Sequence, residues 1–277
     1  MSYKWNMVVQ GDCAVEIAKL PTSVCDLVVC DPPYNIGFDY GDGEYEDSKE
    51  AHEYIDWCKL WLTQVKRLLK PDGSLWLMIG DAFVSELDIL CKKMGFHKRS
   101  QVVWHFTFGV NSVKKFTPSH TQLLYYVCNP KKFTFNAESV RVPSARALQY
   151  ADKRAHPDGR LPDDTWIIRP QKALDYFPAE ADTWLFSRIA GTFKQRAGTP
   201  NQIPEQLLGR IIRTCSNPGD LVCDPMMGSG STLAVAKKLG RRYLGFDISP
   251  AFVRCAERRV DEAKEGEALD GPLPHGG

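Results

Sequence analysis

Metal-binding patterns are missing from this chain. No two of its nine cysteines stand three positions apart, so the Cys-x-x-Cys element of zinc clusters and thiol oxidoreductases is absent. The six histidines are scattered, without a His-Glu-x-x-His pair, and no metal site is expected. No apolar run approaches the roughly 18 residues of a membrane span. The opening Met1-Ser-Tyr-Lys-Trp5 lacks the basic-then-apolar layout of a secretory signal. A soluble, intracellular protein with no membrane partner is therefore expected. Cys30 and Cys223 lie inside apolar runs, where buried free thiols in a reducing compartment are the natural state.

What is present is ordinary in amount and uneven in placement. With 43% hydrophobic and 25% charged residues over 277 positions, the chain suits one α/β core carrying a sizeable insertion. The net charge of +1 hides a division. Between His97 and Pro200 there are 16 Lys and Arg against 8 Asp and Glu, leaving 19 against 26 elsewhere. A basic middle on an acidic frame suits a polyanion partner. Short apolar runs alternate with helical periodicity at both ends of the chain. Strands are predicted at Met7–Gln10, Asp26–Cys30, Ser74–Ile79, Arg99–Phe108, Gln122–Cys128, Leu221–Asp224 and Tyr243–Asp247. Helices are predicted at Ala14–Leu20, Ala51–Leu69, Phe83–Met94, Glu205–Cys215, Ser231–Leu239 and Ala251–Lys264, with Lys70-Pro-Asp-Gly73 as a stop signal. The alternation implies a mostly parallel sheet with helices on both faces. The middle is rich in Pro, Lys, Arg and aromatic residues and reads as an inserted, loop-rich lobe.

Two loops carry the chemistry. Asp224-Pro-Met-Met-Gly-Ser-Gly-Ser-Thr232 follows an apolar run and opens a helix. Its glycines let backbone approach a ligand closely, but it has neither the Gly-Lys-[Ser/Thr] ending of a phosphate loop nor the Gly-x-Gly-x-x-Gly of a dinucleotide site. Asp247, at the end of the next strand, suits two ribose hydroxyls. An acidic pocket without a phosphate-gripping Lys favours a cationic nucleoside cofactor. The second loop, Asp31-Pro-Pro-Tyr34, follows the strand ending at Cys30. Its two prolines fix φ and donate no N–H. It offers a carboxylate, a carbonyl and an aromatic face in one stiff corner, the parts needed to hold a planar ring bearing an amino group.

Together the two motifs resemble those of the S-adenosylmethionine-dependent DNA amino-methyltransferases, and their order resembles the permuted β group of that family. The resemblance implies a Rossmann-like methyltransferase fold with a mostly parallel seven-stranded sheet and an inserted, loop-rich target-recognition lobe. It divides the chain into a catalytic half (1–130), the lobe (131–198), a cofactor-binding half (199–264) and a disordered tail (265–277). It implies catalytic roles for Asp31, Pro32, Pro33 and Tyr34. S-adenosyl-L-methionine would be held by Asp12, Asp224, Pro225, Gly228, Ser229, Gly230, Thr232 and Asp247, with Asn201 and Gln202 from a segment resembling the family's His-Pro-Thr-Gln-Lys-Pro. Asp-Pro-Pro-Tyr, with Asp rather than Ser, is associated mainly with methylation of adenine N6. Cytosine N4 and an inactive DNA-binding relative remain alternatives. Among the cations interleaved with aromatics, Lys114, Lys115, Lys131, Lys132, Arg141 and Arg146 are the expected phosphate contacts, whereas Trp104, Phe106 and Phe108 fit a buried alternating strand. The implied partner is double-stranded DNA in a cytoplasmic, nucleoid-associated setting. The resemblance also allows a homodimer and a cognate restriction endonuclease acting separately.

Overall fold

The computed structural model describes residues 4–40, 45–106, 113–114, 116–142, 144, 150–167 and 202–270. Fully apolar runs on the central strands fit a sheet covered on both faces. In chain order the elements are β1 (Met7–Gln10), α1 (Cys13–Ala18), β2 (Cys25–Cys30), α2 (Ala51–Leu68), β3 (Leu69–Ile79), α3 (Val84–Lys93), β4 (His97–His105), β5 (His120–Val127), a 3-10 turn (Ala137–Val140), β6 (Thr165–Ile167), α4 (Glu205–Cys215), β7 (Leu221–Asp224), α5 (Ser231–Lys238), β8 (Arg242–Asp247) and α6 (Pro250–Glu262). The sheet order is β1-β8-β7-β2-β3-β5-β4-β6.

Alternation along each central strand divides the core in two. Leu27 and Val29 of β2 face α4, α5 and α6, while Val28 and Cys30 face α1, α2 and α3. A fully buried Leu or Val side chain contributes about 1.5–3 kcal/mol, so a one-residue slip would misplace both cores at once. Helix α2 buries Tyr54, Cys58, Trp61, Leu62, Val65 and Leu68 along one stripe, and Glu50 with Glu53 forms its capping box. All nine cysteines are free thiols, eight of them buried. Among the described residues no helix is long and apolar enough to cross a membrane.

The structure departs from the sequence expectation in four places. Lys70-Pro-Asp-Gly73 does end α2, but β3 begins at once and carries these residues as an irregularity, with pairing jumping from Cys25–Leu69 to Leu27–Ser74. Strand β5 runs antiparallel between β3 and β4; a β4–β5 hairpin reverses direction without the crossover a parallel partner needs. The described sheet has eight strands rather than seven, because β6 from the middle of the chain adds in parallel to β4. The tail is packed through Asp270. Leu269 is buried, its carbonyl accepts from Gln206 Nε2 at 2.9 Å, and the Asp270 amide donates to Glu205 at 2.9 Å.

Topology fixes where the two loops meet. β2 and β7 are adjacent and parallel, pairing Leu27 with Val222 and Val28 with Cys223. From β7 the sheet continues to β8 and β1; from β2 it continues to β3. The order therefore reverses between β7 and β2, the place where open α/β sheets form a ligand crevice beyond their carboxyl ends.

Candidate active site

Asp31 is the first residue beyond β2, and Pro32 and Pro33 stiffen the turn that follows. Tyr34 returns its hydroxyl to Asp31, donating to Oδ1 at 2.6 Å. Its ring lies against Gly80 at the end of β3, where a Cβ would stand 3.2 Å from Tyr34 Cδ2. Burial and the Asp31 carboxylate push the Tyr34 phenol well above its ordinary pKa. The turn is anchored from outside, because the Tyr54 hydroxyl of α2 donates to the Pro33 carbonyl at 2.7 Å. Buried Asp47 then gathers three backbone amides, from Asn35 at 2.8 Å, Ile36 at 3.1 Å and Phe38 at 3.0 Å. The Asn35 side chain is tied to the Lys49 backbone in both directions.

The glycine loop is built just as tightly. Asp224 accepts from the Met226 amide at 3.1 Å and from the Thr232 side chain. Gly228 donates its amide to Asp247 Oδ2 at 2.9 Å, and Asp247 Oδ1 accepts from the Ser249 amide at 2.9 Å. Gly230, at φ +76°, starts α5 so close to α6 that a Cβ would fall 2.7 Å from that of Ala256, a position that only glycine fits. At the end of β1, Asp12 caps α1 by accepting from the Ala14 amide at 2.7 Å. β1 lies directly beside β8 and parallel to it, with Gln10 opposite Asp247, which sets Asp12 next to the end of β8.

Both loops open into one cavity of about 1040 Å3. Asp31, Pro32, Pro33 and Tyr34 form one wall; Asp224, Pro225, Gly228, Ser229 and Thr232 form another. Asp12, Asp247 and Gln202 also line it, while Gly230 sits behind, against α6. Asn201 lies outside the described residues. The lining includes five carboxylates, those of Asp12, Asp31, Asp81, Asp224 and Asp247, and no Lys or Arg among the described residues. Burial, with Asp31 and Asp247 adding to it, pushes the Asp224 carboxyl up to about 7. Burial likewise raises the thiols of Cys13 and Cys30, which removes them as thiolate nucleophiles. Such a cavity suits a cationic nucleoside with hydroxyls to donate, and disfavours a pyrophosphate.

Sequence reasoning missed several groups on this lining or behind it. Asp47 holds the loop but carries no local motif. Asp81 pairs with His120 Nε2 at 2.9 Å across the β3–β5 edge, a contact that only the antiparallel register creates. Ile248, Ser249 and Phe252 flank Asp247 on the cavity wall; their place directly after a strand-ending acid is the signal that could have found them. The expected phosphate contacts fare unevenly. Lys114 is exposed in the β4–β5 connection, whose returning limb (Phe116, Thr117 and Pro118) lines the cavity. Lys131 and Lys132 lie past the far end of β5, with Lys132 3.2 Å from Asp72. Because β5 is antiparallel, that end is the sheet edge opposite the cavity, so these two are not brought to the site. Arg141 is paired with Glu138 at 2.7 Å. Lys115 and Arg146 lie outside the described residues.

The chain matches the N6/N4 DNA methylase family over residues 25–258. It is 33% identical over 262 residues to the DNA adenine methyltransferase YhdJ of Escherichia coli K12, covering 94% of this chain and 84% of that protein. The chain belongs to the N6/N4 DNA amino-methyltransferase family. Two solved structures share its fold. PvuII DNA methyltransferase, which is cytosine-N4-specific, aligns with a TM-score of 0.64 at 18% identity, covering 96% of this chain and 87% of that one. M1.HpyAVI in complex with S-adenosylmethionine aligns at 0.59 and 17% identity, covering 91% of this chain and 97% of that one. S-adenosylmethionine is the cofactor of this DNA methyltransferase, and its positive charge fits the acidic cavity.

Proposed function

We propose that this methyltransferase methylates N6 of an adenine extruded from double-stranded DNA. The observation carrying the reading is that Asp31 and Tyr34 share one cavity with the Gly228 loop. S-adenosylmethionine supplies an electrophilic methyl group on sulfur. Asp224, Asp247, Asp12 and the turn from Gly228 to Thr232 would hold it, with Gln202 at the side. An adenine amino nitrogen is a weak nucleophile because its lone pair is delocalised into the ring. The Asp31 carboxylate and the Pro32 carbonyl accept its two N–H bonds, favouring a more pyramidal nitrogen aimed at the methyl group. A charge-assisted hydrogen bond of a few kcal/mol matters here, since each factor of ten in rate needs about 1.4 kcal/mol. Orientation supplies much of the rest. Asp31 receives the proton that the nitrogen sheds on methylation, so it need not be a strong base beforehand. A stacked base cannot reach this corner and must leave the duplex. Tyr34 then offers its ring as a replacement stacking surface worth about 1–3 kcal/mol.

Support for adenine comes from Asp rather than Ser at position 31 and from the named activity of YhdJ. Cytosine N4 is the second reading, because the same fold serves it in PvuII. Methylated DNA digested to nucleosides separates them: N6-methyladenine is expected, and N4-methylcytosine as the product would overturn the choice of base. Modification-sensitive sequencing of a host genome expressing the protein then gives the recognised motif.

A further inference from the structure

Among the described aromatics at and after the end of β4, Phe116 stands apart. Trp104 and Phe106, on the outgoing limb, are buried in the core, whereas Phe116 on the returning limb is 99% exposed. The base of the β4–β5 connection is closed tightly. His105 pairs with His120, and the Phe106 amide donates to the Ser119 carbonyl at 2.7 Å. The returning limb therefore lies at the carboxyl edge of the sheet, where the cavity opens, and Phe116 lies on the cavity rim beside Thr117 and Pro118. Pro118 restrains the returning backbone. Two positions before Phe116, Lys114 is exposed, and Val113 beside it is 97% exposed. An unpartnered aromatic ring at the mouth of an acidic cavity, with a cation alongside, matches a duplex. The ring suits the base stack, the cation suits the phosphates outside, and the acidic interior turns the backbone away.

We propose that Phe116 is the wedge that enters the base stack at the place vacated by the target nucleotide. Apolar side chains inserted between base steps are a general means of holding a duplex deformed, and an aromatic ring recovers part of the stacking lost when a base leaves. The proposal rests on the extrusion reading above and adds to it the group that holds the gap open. Tyr34 receives the extruded base inside the cavity; Phe116 fills what the base left outside it.

The test uses the full-length protein and duplexes carrying the motif identified by sequencing. One set has a matched target adenine, a second has the target mispaired, and a third has 2-aminopurine in its place. Phe116→Ala is expected to lower kcat/KM on the matched duplex by about fivefold to 150-fold, the range of one lost stacking contact. It should regain most of that loss on the mispaired duplex, whose target base leaves the stack more easily. The 2-aminopurine signal should fall in Phe116→Ala and persist in Phe116→Trp, with the melting temperature unchanged in both. An equal loss on matched and mispaired duplexes, or no loss at all, would overturn the proposal. So would a change of oligomeric state in Phe116→Ala with normal extrusion, which would assign the ring to a protein contact. If the wild-type protein itself gave no 2-aminopurine signal and left duplex DNA unmethylated, extrusion would fail first.

Discussion

Tyr34 keeps its hydroxyl on Asp31 and its ring on Gly80, so the two parts of one side chain can be separated by mutation. Tyr34→Phe keeps the ring and is expected to lower kcat about tenfold, as for one hydrogen bond to a charged group. Tyr34→Ala removes both and should cost at least about tenfold more; equal losses in the two variants would count against stacking. Asp31→Ala is expected to abolish methyl transfer while S-adenosylmethionine binding, followed by equilibrium dialysis, stays near wild type. Asp224 gives a pH dependence. Burial raises its carboxyl from 3.8 to about 7, so between these values the folded protein holds a proton that the unfolded chain has shed. That contribution favours the fold below 3.8, is lost as pH rises to about 7, and is flat beyond. A cationic cofactor favours the ionised carboxylate. Affinity for S-adenosylmethionine should therefore rise with pH up to about 7 and then level off, with calorimetry detecting proton release on binding at lower pH. Asp224→Asn should abolish that release, and a wild-type affinity independent of pH would contradict the assignment.

At the scale of elements, the cofactor half is locked by one buried acid. Glu205, at the start of α4, is 2% exposed and accepts from Lys238 of α5 at 3.0 Å and Arg259 of α6 at 3.3 Å. It also accepts the Asp270 amide, and Arg259 reaches on to the Ser229 hydroxyl of the glycine loop at 3.3 Å. Glu205→Gln removes the main counter-charge of buried Lys238 and partly buried Arg259 and is expected to cost about 3 kcal/mol, read as a lowered urea midpoint. Unchanged stability would mean that the cations find other partners. This network also explains why the segment leading to Asp270 is packed: its backbone adds a third donor to Glu205, beside Lys238 and Arg259. Such a role leaves no trace in local composition. Helix α2, by contrast, was legible to within a residue, because its apolar stripe and capping box are local features.

At the scale of the whole molecule, an enzyme for a polyanion is built around an acidic cavity. The five carboxylates admit a cation and a neutral base while leaving phosphates to the rim. Lys114→Ala should therefore reduce the slope of log K against log salt for DNA binding by about 1, whereas Lys131→Ala and Lys132→Ala, at the opposite sheet edge, should leave it unchanged. Equal effects would place DNA across both edges. The sequence by itself determined the elements and the two loops, because helical and strand periods, proline stiffness and glycine turns act over a few residues. It also marked Asp31, Tyr34, Asp224 and Asp247 as groups to watch, since Asp224 and Asp247 close strands and the turn from Asp31 to Tyr34 directly follows one. Only the tertiary structure decided that β2 and β7, nearly two hundred residues apart, are neighbours, that β5 returns antiparallel, and that Asp47, Asp81 and His120 join the site. Those outcomes depend on register and close packing summed over distant segments, which no local run of residues encodes.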